Sequence, residues 1–209
     1  MMLVESLDEF EKQSKEILFR VSQDRVYLRQ LVLQVATTPS LFALSAHYDA
    51  VDKIVLWNSE DHKMQLRLHI YAGGDRSLGS SQADIAQAHN HRWNFSSLIL
   101  SGGYRHTIYR KDKELNLLIP GMIRQESVGN CYTLHHSQYH SIEELPNTVS
   151  LLVRGSLEKE SFQVINEKGG EMKWREGSSL NNPTEIAQKK MSYERYQMAV
   201  DQLINLEVI

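Results

Sequence analysis

Strict alternation of apolar and polar residues between positions 64 and 71 constrains the fold of this chain more than any other feature. Every second residue is apolar, and the residues between them are polar or aromatic: Met64, Leu66, Leu68 and Ile70 against Gln65, Arg67, His69 and Tyr71. Because neighbouring side chains of a strand point to opposite faces, this period of two predicts a half-buried β-strand. A short apolar run at 54–57 precedes it across the turn-like residues 58–61, so the two runs predict a β-hairpin.

Further short apolar runs follow along the chain, at 98–100, 106–109, 115–119, 131–134, 149–153 and 162–165. Glycine, asparagine, proline and serine punctuate these runs at 73–74, 102–103, 120–121, 129–130 and 146–147. Many short strands separated by such turn residues are typical of a meander or a jelly-roll barrel. The sequence therefore predicts a mainly β fold.

Helical periodicity replaces this alternation at both ends of the chain. Ser6-Leu7-Asp8-Glu9 has the form of a capping box, and the apolar spacing after it predicts an amphipathic helix. A second helix is predicted from a cap at Ser22 to the breaker at 37–39, and another after Ser192. The composition of 169–183 is that of a loop. We expect one domain over residues 1–209, with a helical extension at 1–40, a β-barrel core at 48–168 and a C-terminal helix at 184–207.

Composition and charge narrow the classes of function. The 209 residues are 41% apolar and 23% charged, the balance of a globular protein that buries a full core. The net charge of −3 gives no attraction to phosphate backbones or anionic membranes, so neither nucleic acid nor membrane is an expected partner. No apolar run approaches the length of about 18 residues that spans a bilayer, and Met1 to Glu11 lacks the basic start of a secretory signal. We expect a cytoplasmic protein. Its single cysteine, Cys131, excludes an internal disulfide.

Two histidines separated by one residue, His89 and His91, are the first candidates for chemistry. On a strand they point to the same face, where two neutral ring nitrogens converge. Such a pair is weak evidence alone, because it also occurs by chance among surface residues. Two glycine positions accompany it: Gly102-Gly103 follows the strand that begins with the pair, and Gly129 opens a strand that reaches His140.

These residues resemble the two motifs of the cupin superfamily. Its first motif is a His-x-His pair followed by a glutamate and, six residues later, a glycine, which Gly102 or Gly103 matches. Its second motif leads from a glycine to a histidine eleven positions later, the spacing of Gly129 and His140. The resemblance covers about residues 64–155. It implies a cupin jelly roll, a double-stranded β-helix, in which His89, His91 and His140 bind one divalent metal ion.

The match fails at the glutamate of the first motif, where this chain has Phe95 or Ser96. Neither is a good metal ligand. The remaining set of three histidines is similar to that of cysteine dioxygenase and related thiol dioxygenases. That similarity implies Fe(II) as the favoured metal, with Zn, Ni or Mn as alternatives, and a small-molecule substrate that binds beside O₂. Because no protein ligand is anionic, the ion keeps its full charge and favours an anionic substrate.

The thiol dioxygenases also carry a histidine and a tyrosine two residues apart on a late strand. This chain has Leu152 and Arg154 in the corresponding run. A substrate other than cysteine is therefore expected. In the second motif His135 and His136 stand where cupins usually have prolines. Either is an alternative ligand, although adjacent residues of a regular strand cannot both face one ion.

Other side chains are candidates for the surroundings of the metal. Arg67 and Arg92 suit a substrate carboxylate, because a guanidinium grips two oxygens at once. The parity of the strands cannot decide whether Arg67 faces the cavity or the outer surface. His106 is a candidate catalytic acid or base, or a donor behind a ligand, with a structural histidine as the plain alternative. The remaining candidates for substrate binding are Trp93, Ser96, His136 and Arg154.

Three functions compete at this point. The first is an Fe(II) dioxygenase or oxygenase acting on a small anionic substrate, such as an amino-acid-like compound or a thiol. The second is a redox-neutral isomerase, lyase or hydrolase that uses Zn, Ni or Mn as a Lewis acid. The third is a non-catalytic ligand-binding cupin. A homodimer is also an expectation, because barrels with exposed edge strands often cover them by pairing.

Overall fold

The fold is given by a computed structural model that describes residues 6–48, 51–61, 63–71, 88–112, 117–165, 172–176 and 189–209. Within these ranges the helices are α1 (Leu7–Gln23), α2 (Arg25–Gln34), α3 (Pro39–Leu44) and α4 (Tyr193–Asn205), with a 3-10 turn at Val35–Thr37. None of these helices is long and apolar enough to cross a membrane.

The predicted helix caps are partly confirmed. The side chain of Ser6 accepts a hydrogen bond from the Glu9 amide of α1, and that of Ser192 accepts one from the Arg195 amide of α4. The cap of α2 is Asp24 and not Ser22, because the Asp24 carboxylate accepts from the Tyr27 amide at 2.9 Å. Ser22 is still inside α1, where its hydroxyl donates to the Phe19 carbonyl.

Two predicted helix limits differ from the structure. The helical extension continues past residue 40 to Leu44, because Pro39 occupies the first turn of α3, a position that proline favours. At the other end α4 begins only at Tyr193, directly after its cap. Of the predicted helix at 184–207, residues 184–188 lie outside the described residues, and 189–192 are not helical.

The strands of the described residues form two six-stranded antiparallel sheets with the orders β1-β2-β3-β10-β5-β8 and β12-β11-β4-β9-β6-β7. Their bounds are β1 (Ala46–Tyr48), β2 (Val51–Asn58), β3 (Gln65–Tyr71), β4 (Ala88–His89), β5 (Phe95–Ser101), β6 (Gly103–Asp112), β7 (Leu117–Ser127), β8 (Cys131–Leu134), β9 (Tyr139–Glu144), β10 (Val149–Arg154), β11 (Ser161–Ile165) and β12 (Met172–Glu176). The chain passes back and forth between the sheets, so that β3-β10-β5-β8 faces β4-β9-β6-β7. This is the predicted jelly-roll arrangement, and helices flank it in the sequence.

The strands extend somewhat beyond the predicted core at 48–168. The hairpin predicted at 54–70 is formed by β2 and β3. The glycine turn predicted at 73–74 lies outside the described residues. The loop predicted at 169–183 is interrupted by β12, which pairs with β11, and the rest of that loop in 177–183 is not described.

Two apolar cores lie on opposite faces of the first sheet. The larger one joins the outer face of this sheet to the helices, and it contains the predicted apolar row of β3 together with Phe10, Leu18, Leu28, Val32 and Leu203. The smaller one lies between the two sheets and consists of Phe95, Ile99, Tyr104, Tyr132, Leu134 and Leu152. Because the apolar row of β3 is turned to the helices, its polar row faces the barrel interior. This orientation brings charged groups to the site.

Candidate metal centre

The three predicted histidine ligands come together between the sheets. His89 on β4 is the register partner of His140 on β9, and His91 follows two residues after β4. The candidate ligand atoms of the three rings all lie within 4.8 Å of one another. Ring centroids are 4.6 Å apart for His89 and His140, 4.9 Å for His89 and His91, and 5.0 Å for His91 and His140. His140 is buried, whereas the other two are half-buried and leave one side of the cluster accessible.

The donor set fits a divalent transition metal. The Nε2 atoms of His91 and His140 are 2.7 Å apart. Two nitrogens that bind one ion at about 2.1 Å and at about 90° lie about 3.0 Å apart, so a shift of a few tenths of an ångström admits the ion. Burial, reinforced by His89, holds the pKa of His91 and that of His140 well below the usual value. Both rings are therefore neutral near pH 7, the form that ligates a metal.

Backbone contacts hold the short segment that carries the pair. Asn90, between the two histidines, donates its amide to the Gln163 carbonyl, and its side chain accepts from the Gln163 amide at 2.8 Å. The amide of His91 donates to the carbonyl of His136 at 3.2 Å. The β4 segment is thus fixed on both sides, which sets the direction of the His89 and His91 side chains.

Phe95 stands where the cupin motif has its glutamate. Its ring centroid is 4.7 Å from that of His91 and 5.7 Å from that of His140. An apolar ring therefore fills the place of the usual fourth ligand. The neighbouring Ser96 points to the opposite face of β5, where its hydroxyl is 2.6 Å from that of Ser14 on α1 and 2.8 Å from that of Thr133. The prediction that Ser96 binds substrate is wrong, because strand alternation turns it toward the helices.

His106 lies behind His140. Its Nε2 is 3.0 Å from Nδ1 of His140, and its Nδ1 is 3.2 Å from the carboxylate of Glu126. His106 is completely buried, and Glu126 also accepts hydrogen bonds from Arg124 and Asn130. Both ring nitrogens of His106 are engaged by protein atoms, so His106 orients the candidate ligand His140 and has no ring nitrogen free for a substrate. Of the roles considered for it, the structure favours the donor behind a ligand over the acid or base.

The two alternative ligands stay outside the cluster. Nδ1 of His135 is 2.7 Å from the Ser137 hydroxyl within its own turn. His136 contacts Asn94, whose side-chain oxygen accepts from the His136 amide at 2.8 Å and lies 3.2 Å from Nδ1 of the ring. The group of potential ligand residues found in the described part of the chain contains neither of them. His136 instead supports the cluster through its carbonyl, which accepts from His91.

Arg67 and Arg154, two predicted substrate-binding residues, face the barrel interior beside Trp93. The guanidinium carbons lie 5.4 Å and 5.3 Å from the Trp93 ring centroid, and both side chains donate to the Gln65 side-chain oxygen. The Trp93 ring is itself 6.3 Å from that of His91. Arg92, by contrast, is buried and donates to the Lys159 carbonyl. The structure therefore brings two of the three candidate arginines next to the cluster.

Two further basic residues of this face, Lys53 and His69, were not predicted. They are register partners on β2 and β3, and His69 has the same parity as Arg67. Burial and the charge of Arg67 lower the pKa of Lys53 to about 8, and burial together with Arg154 lowers the pKa of Arg67 to about 9. The spacing of Arg67 and His69 was the available signal. To use this spacing as a prediction, one must know which face of β3 points inward.

Fold and site together define a jelly-roll protein with a three-histidine cluster between its sheets. No protein-family model matches the sequence, and no curated protein matches it.

Three solved structures illustrate the similarity of this chain to known folds. KdgF from Halomonas sp. has a TM-score of 0.38 at 12% identity, over 52% of this chain and 82% of that chain. Hydroxypropylphosphonic acid epoxidase from S. wedmorenis has a TM-score of 0.36 at 12% identity, over 51% of each chain. A mutant of Bacillus subtilis oxalate decarboxylase OxdC has a TM-score of 0.40 at 14% identity, over 78% of this chain and 37% of that chain. The strand order itself defines the fold, and similarity at these levels assigns no reaction.

Proposed function

We propose that this chain is a metal-dependent cupin enzyme in which His89, His91 and His140 bind one divalent ion, with Fe(II) as the favoured metal. Its substrate is a small organic anion that reacts with O₂. The observation that carries this proposal is a cluster of three neutral nitrogen donors, without a carboxylate, opposite an inner sheet face that bears basic side chains.

The charge of the loaded site follows from its ligands, because all three are neutral histidines and none is a carboxylate. Neutral ligands leave the full 2+ charge of the ion to attract an anion from solution. A bound ferrous ion supplies redox chemistry with O₂ at the coordination positions that three histidines leave open. The protein itself contributes the orientation of the rings, the apolar wall of Phe95 and the positive charge of Arg67 and Arg154.

The late strand supports a substrate other than cysteine. Leu152 belongs to the apolar core between the sheets, and Arg154 stacks against Trp93. Neither offers the neutral ring nitrogen or the phenol hydroxyl that thiol dioxygenases have at these places. An arginine instead adds a site for an oxyanion, since its guanidinium donates in pairs.

Anaerobic loading with Fe(II), followed by metal quantification and O₂ uptake across a panel of organic acids, amino acids, thiols and keto acids, tests the proposal. We expect about one ion per chain, and loss of that ion in His89→Ala, His91→Ala and His140→Ala. His135→Ala is the matched control and retains the metal, because His135 contacts only its own turn. Failure of the wild-type protein to retain metal would refute the proposal.

Metal preference separates the competing functions. Iron with substrate-dependent O₂ uptake supports the oxygenase. Retention of Zn, Ni or Mn, with turnover of a panel compound and no O₂ uptake, identifies a redox-neutral enzyme. Metal binding with neither activity on any compound, but with saturable binding of one, identifies a ligand-binding cupin.

A further inference from the structure

We infer that Lys53, Arg67, His69 and Arg154, which we call the basic inner row, form a subsite for a dianionic group of the substrate, such as a phosphate, a phosphonate or a pair of carboxylates. This inference rests on the proposed function, because it names the substrate class of that site. It adds Lys53 and His69 to the site and fixes the charge of the ligand.

Strand register places the row on one continuous surface. Lys53 on β2 lies directly across from His69 on β3, and Arg67 lies two residues away on the same face. On the other side of β3, β10 pairs its Arg154 with Gln65, whose side chain accepts from both arginines. Cross-strand partners and residues two apart share a face, so the four side chains line one patch of the interior.

His69 carries the observation that most directly indicates a ligand. It is only 8% exposed, and its Nε2 has no hydrogen-bond partner among the residues that the structure describes. Buried polar atoms of native proteins are normally paired, and an unpaired one at a binding surface is satisfied by what binds there. In the tautomer with its proton on Nε2, His69 donates to an oxyanion, and in the other tautomer Nε2 accepts from the hydroxyl of a monoprotonated phosphate. An oxyanion held by the neighbouring cations meets this need.

The positive charge of the row is not neutralised by the described residues. Within the described ranges no carboxylate lies within ion-pair distance of Lys53, Arg67 or Arg154, whereas Arg105, Arg124 and Arg195 each pair with one. Lys53 instead lies over the Tyr48 ring, and the arginines lie over Trp93. Half-buried cations without a carboxylate partner favour an anion from solution.

The number of charges sets the class of the ligand. Near pH 7 the cations Lys53, Arg67 and Arg154 stand beside a centre that brings two further charges when loaded with metal. These are five positive charges in all, and a monocarboxylate offsets only one of them. A second negative group on the same ligand would therefore still be attracted to the row. Burial and a neighbouring cation lower the pKa of Lys53 to about 8 and that of Arg67 to about 9. Both groups stay charged near pH 7, and a dianion at the row offsets the repulsion between them.

Trp93 ties the row to the metal centre. Both guanidinium groups lie close to its ring, which is also 6.3 Å from the His91 ring. Stacking on the ring orients each guanidinium and leaves its N–H edge for an oxyanion. A ligand in the row is therefore next to the three histidines, within reach of one small molecule.

The test uses the full chain, both metal-free and metal-loaded, with inorganic phosphate, succinate and acetate as probes. Binding is followed by titration calorimetry and by the Trp93 fluorescence that is lost in Trp93→Phe. We expect phosphate or succinate to bind the metal-free protein about tenfold or more tightly than acetate, because a second charge-assisted contact adds that much. The stronger of the two probes identifies whether the row takes a phosphoryl group or a dicarboxylate.

Variants assign the binding to the row. Arg67→Met and His69→Phe are expected to weaken the preferred probe about tenfold or more, and Arg67→Lys to recover part of the loss because it keeps the charge. Arg105→Met, on the outer surface with Glu143, is the matched control and binds as the wild type does. Far-UV circular dichroism confirms that each variant is folded. Equal affinity for acetate and the dianions, or an unchanged affinity in Arg67→Met, would overturn the inference.

Metal quantification on the same samples separates this inference from the proposed function. If the wild-type protein binds a dianion but no metal, the proposed enzyme is refuted and the subsite stands. If it binds metal and shows no preference for a dianion, the subsite is refuted and the proposed metal centre stands.

Discussion

Hydrogen bonds around His140 determine which of its ring nitrogens carries the proton. The Glu126 carboxylate accepts, so Nδ1 of His106 donates to it, and Nε2 of the same neutral ring is left as an acceptor. Nδ1 of His140 then donates to that Nε2. The lone pair of His140 Nε2 consequently faces the other two histidines. His140 is held in the one tautomer that places a ligand atom in the cluster.

Removing this support is expected to weaken metal binding without removing a ligand. His106→Phe leaves Nδ1 of His140 without its acceptor, and partners of this kind typically contribute 10- to 100-fold, so we expect the dissociation constant to rise by about that factor. Competition with a chromophoric chelator measures it. Arg105→Met serves as the control and keeps the wild-type constant. An unchanged constant in His106→Phe would show that the hydrogen bond does not orient His140.

At the scale of secondary-structure elements, periodicity predicted the strands well but not the direction of their faces. The alternation at 64–71 identified β3 and its hairpin with β2, since a period of two is a local property. Which face points inward depends on what covers the other, and here α1, α2 and α4 supply an apolar layer outside the barrel. The location of Arg67 was therefore left open by the sequence, and His69 was missed.

The candidate site shows the same division between local and tertiary information. The spacing of His89 and His91 put both rings on one face, which the structure confirms. His140 came from the resemblance to cupins and not from its own neighbours in the sequence. Glu126 gave no signal, because its role depends on β7 lying beside β6 in the sheet. Ser96 was misassigned because its distance from the histidine pair says nothing about the helix that packs on its face.

The C-terminal helix is fixed to the first sheet by a buried ion pair. Arg195 of α4 donates from Nε and Nη2 to the two oxygens of Asp52 on β2, at 2.7 to 3.1 Å. Asp52 is only 2% exposed and also contacts His47 at 2.7 Å. The Tyr196 hydroxyl donates to the Val32 carbonyl at 2.6 Å and so joins α4 to α2. These contacts lock the helix layer onto the outer face of the barrel.

Removing only one charge of this pair is expected to lower the free energy of unfolding more than removing both charges. Arg195→Met leaves the Asp52 carboxylate buried with only His47, and the expected loss in the free energy of unfolding is about 3 kcal/mol. Asp52→Asn in the same background removes the uncompensated charge and should restore part of that loss. Urea denaturation of the two single variants and the double variant gives the coupling. A change below about 0.5 kcal/mol in Arg195→Met would contradict a stabilising role.

In the molecule as a whole, the residues that stabilise the fold and the residues of the candidate site lie on opposite faces of the first sheet. The outer face of the first sheet packs against the helices in the larger apolar core, while the inner face carries the basic inner row. Because burial of apolar area scales with the size of that core, the helix layer is expected to supply much of the hydrophobic stabilisation. Polar side chains between the sheets are then tolerated, although they contribute little to a hydrophobic core.

The homodimer stays a prediction, and the exposed edge of the second sheet is the reason to expect it. β7 is the last strand of its sheet, and on it Met122 and Ile123 are 51% and 53% exposed. Exposed apolar side chains on an edge strand favour pairing with another chain. Sedimentation of the full chain measures the oligomeric state directly.

Metal binding is expected to stabilise the entire fold, because the three histidines converge only in the folded state. His89 and His140 are 51 positions apart in the chain and meet through the pairing of β4 with β9. At a free-ion concentration of 100 times the dissociation constant, linkage contributes about 2.7 kcal/mol. For a chain of this size each kcal/mol raises Tm by about 2–4 °C, so anaerobic Fe(II) should raise it by about 5–11 °C. His140→Ala should abolish the shift, and His135→Ala should retain it. An equal shift in both variants would mean that the ion stabilises the protein from a site other than the three-histidine cluster.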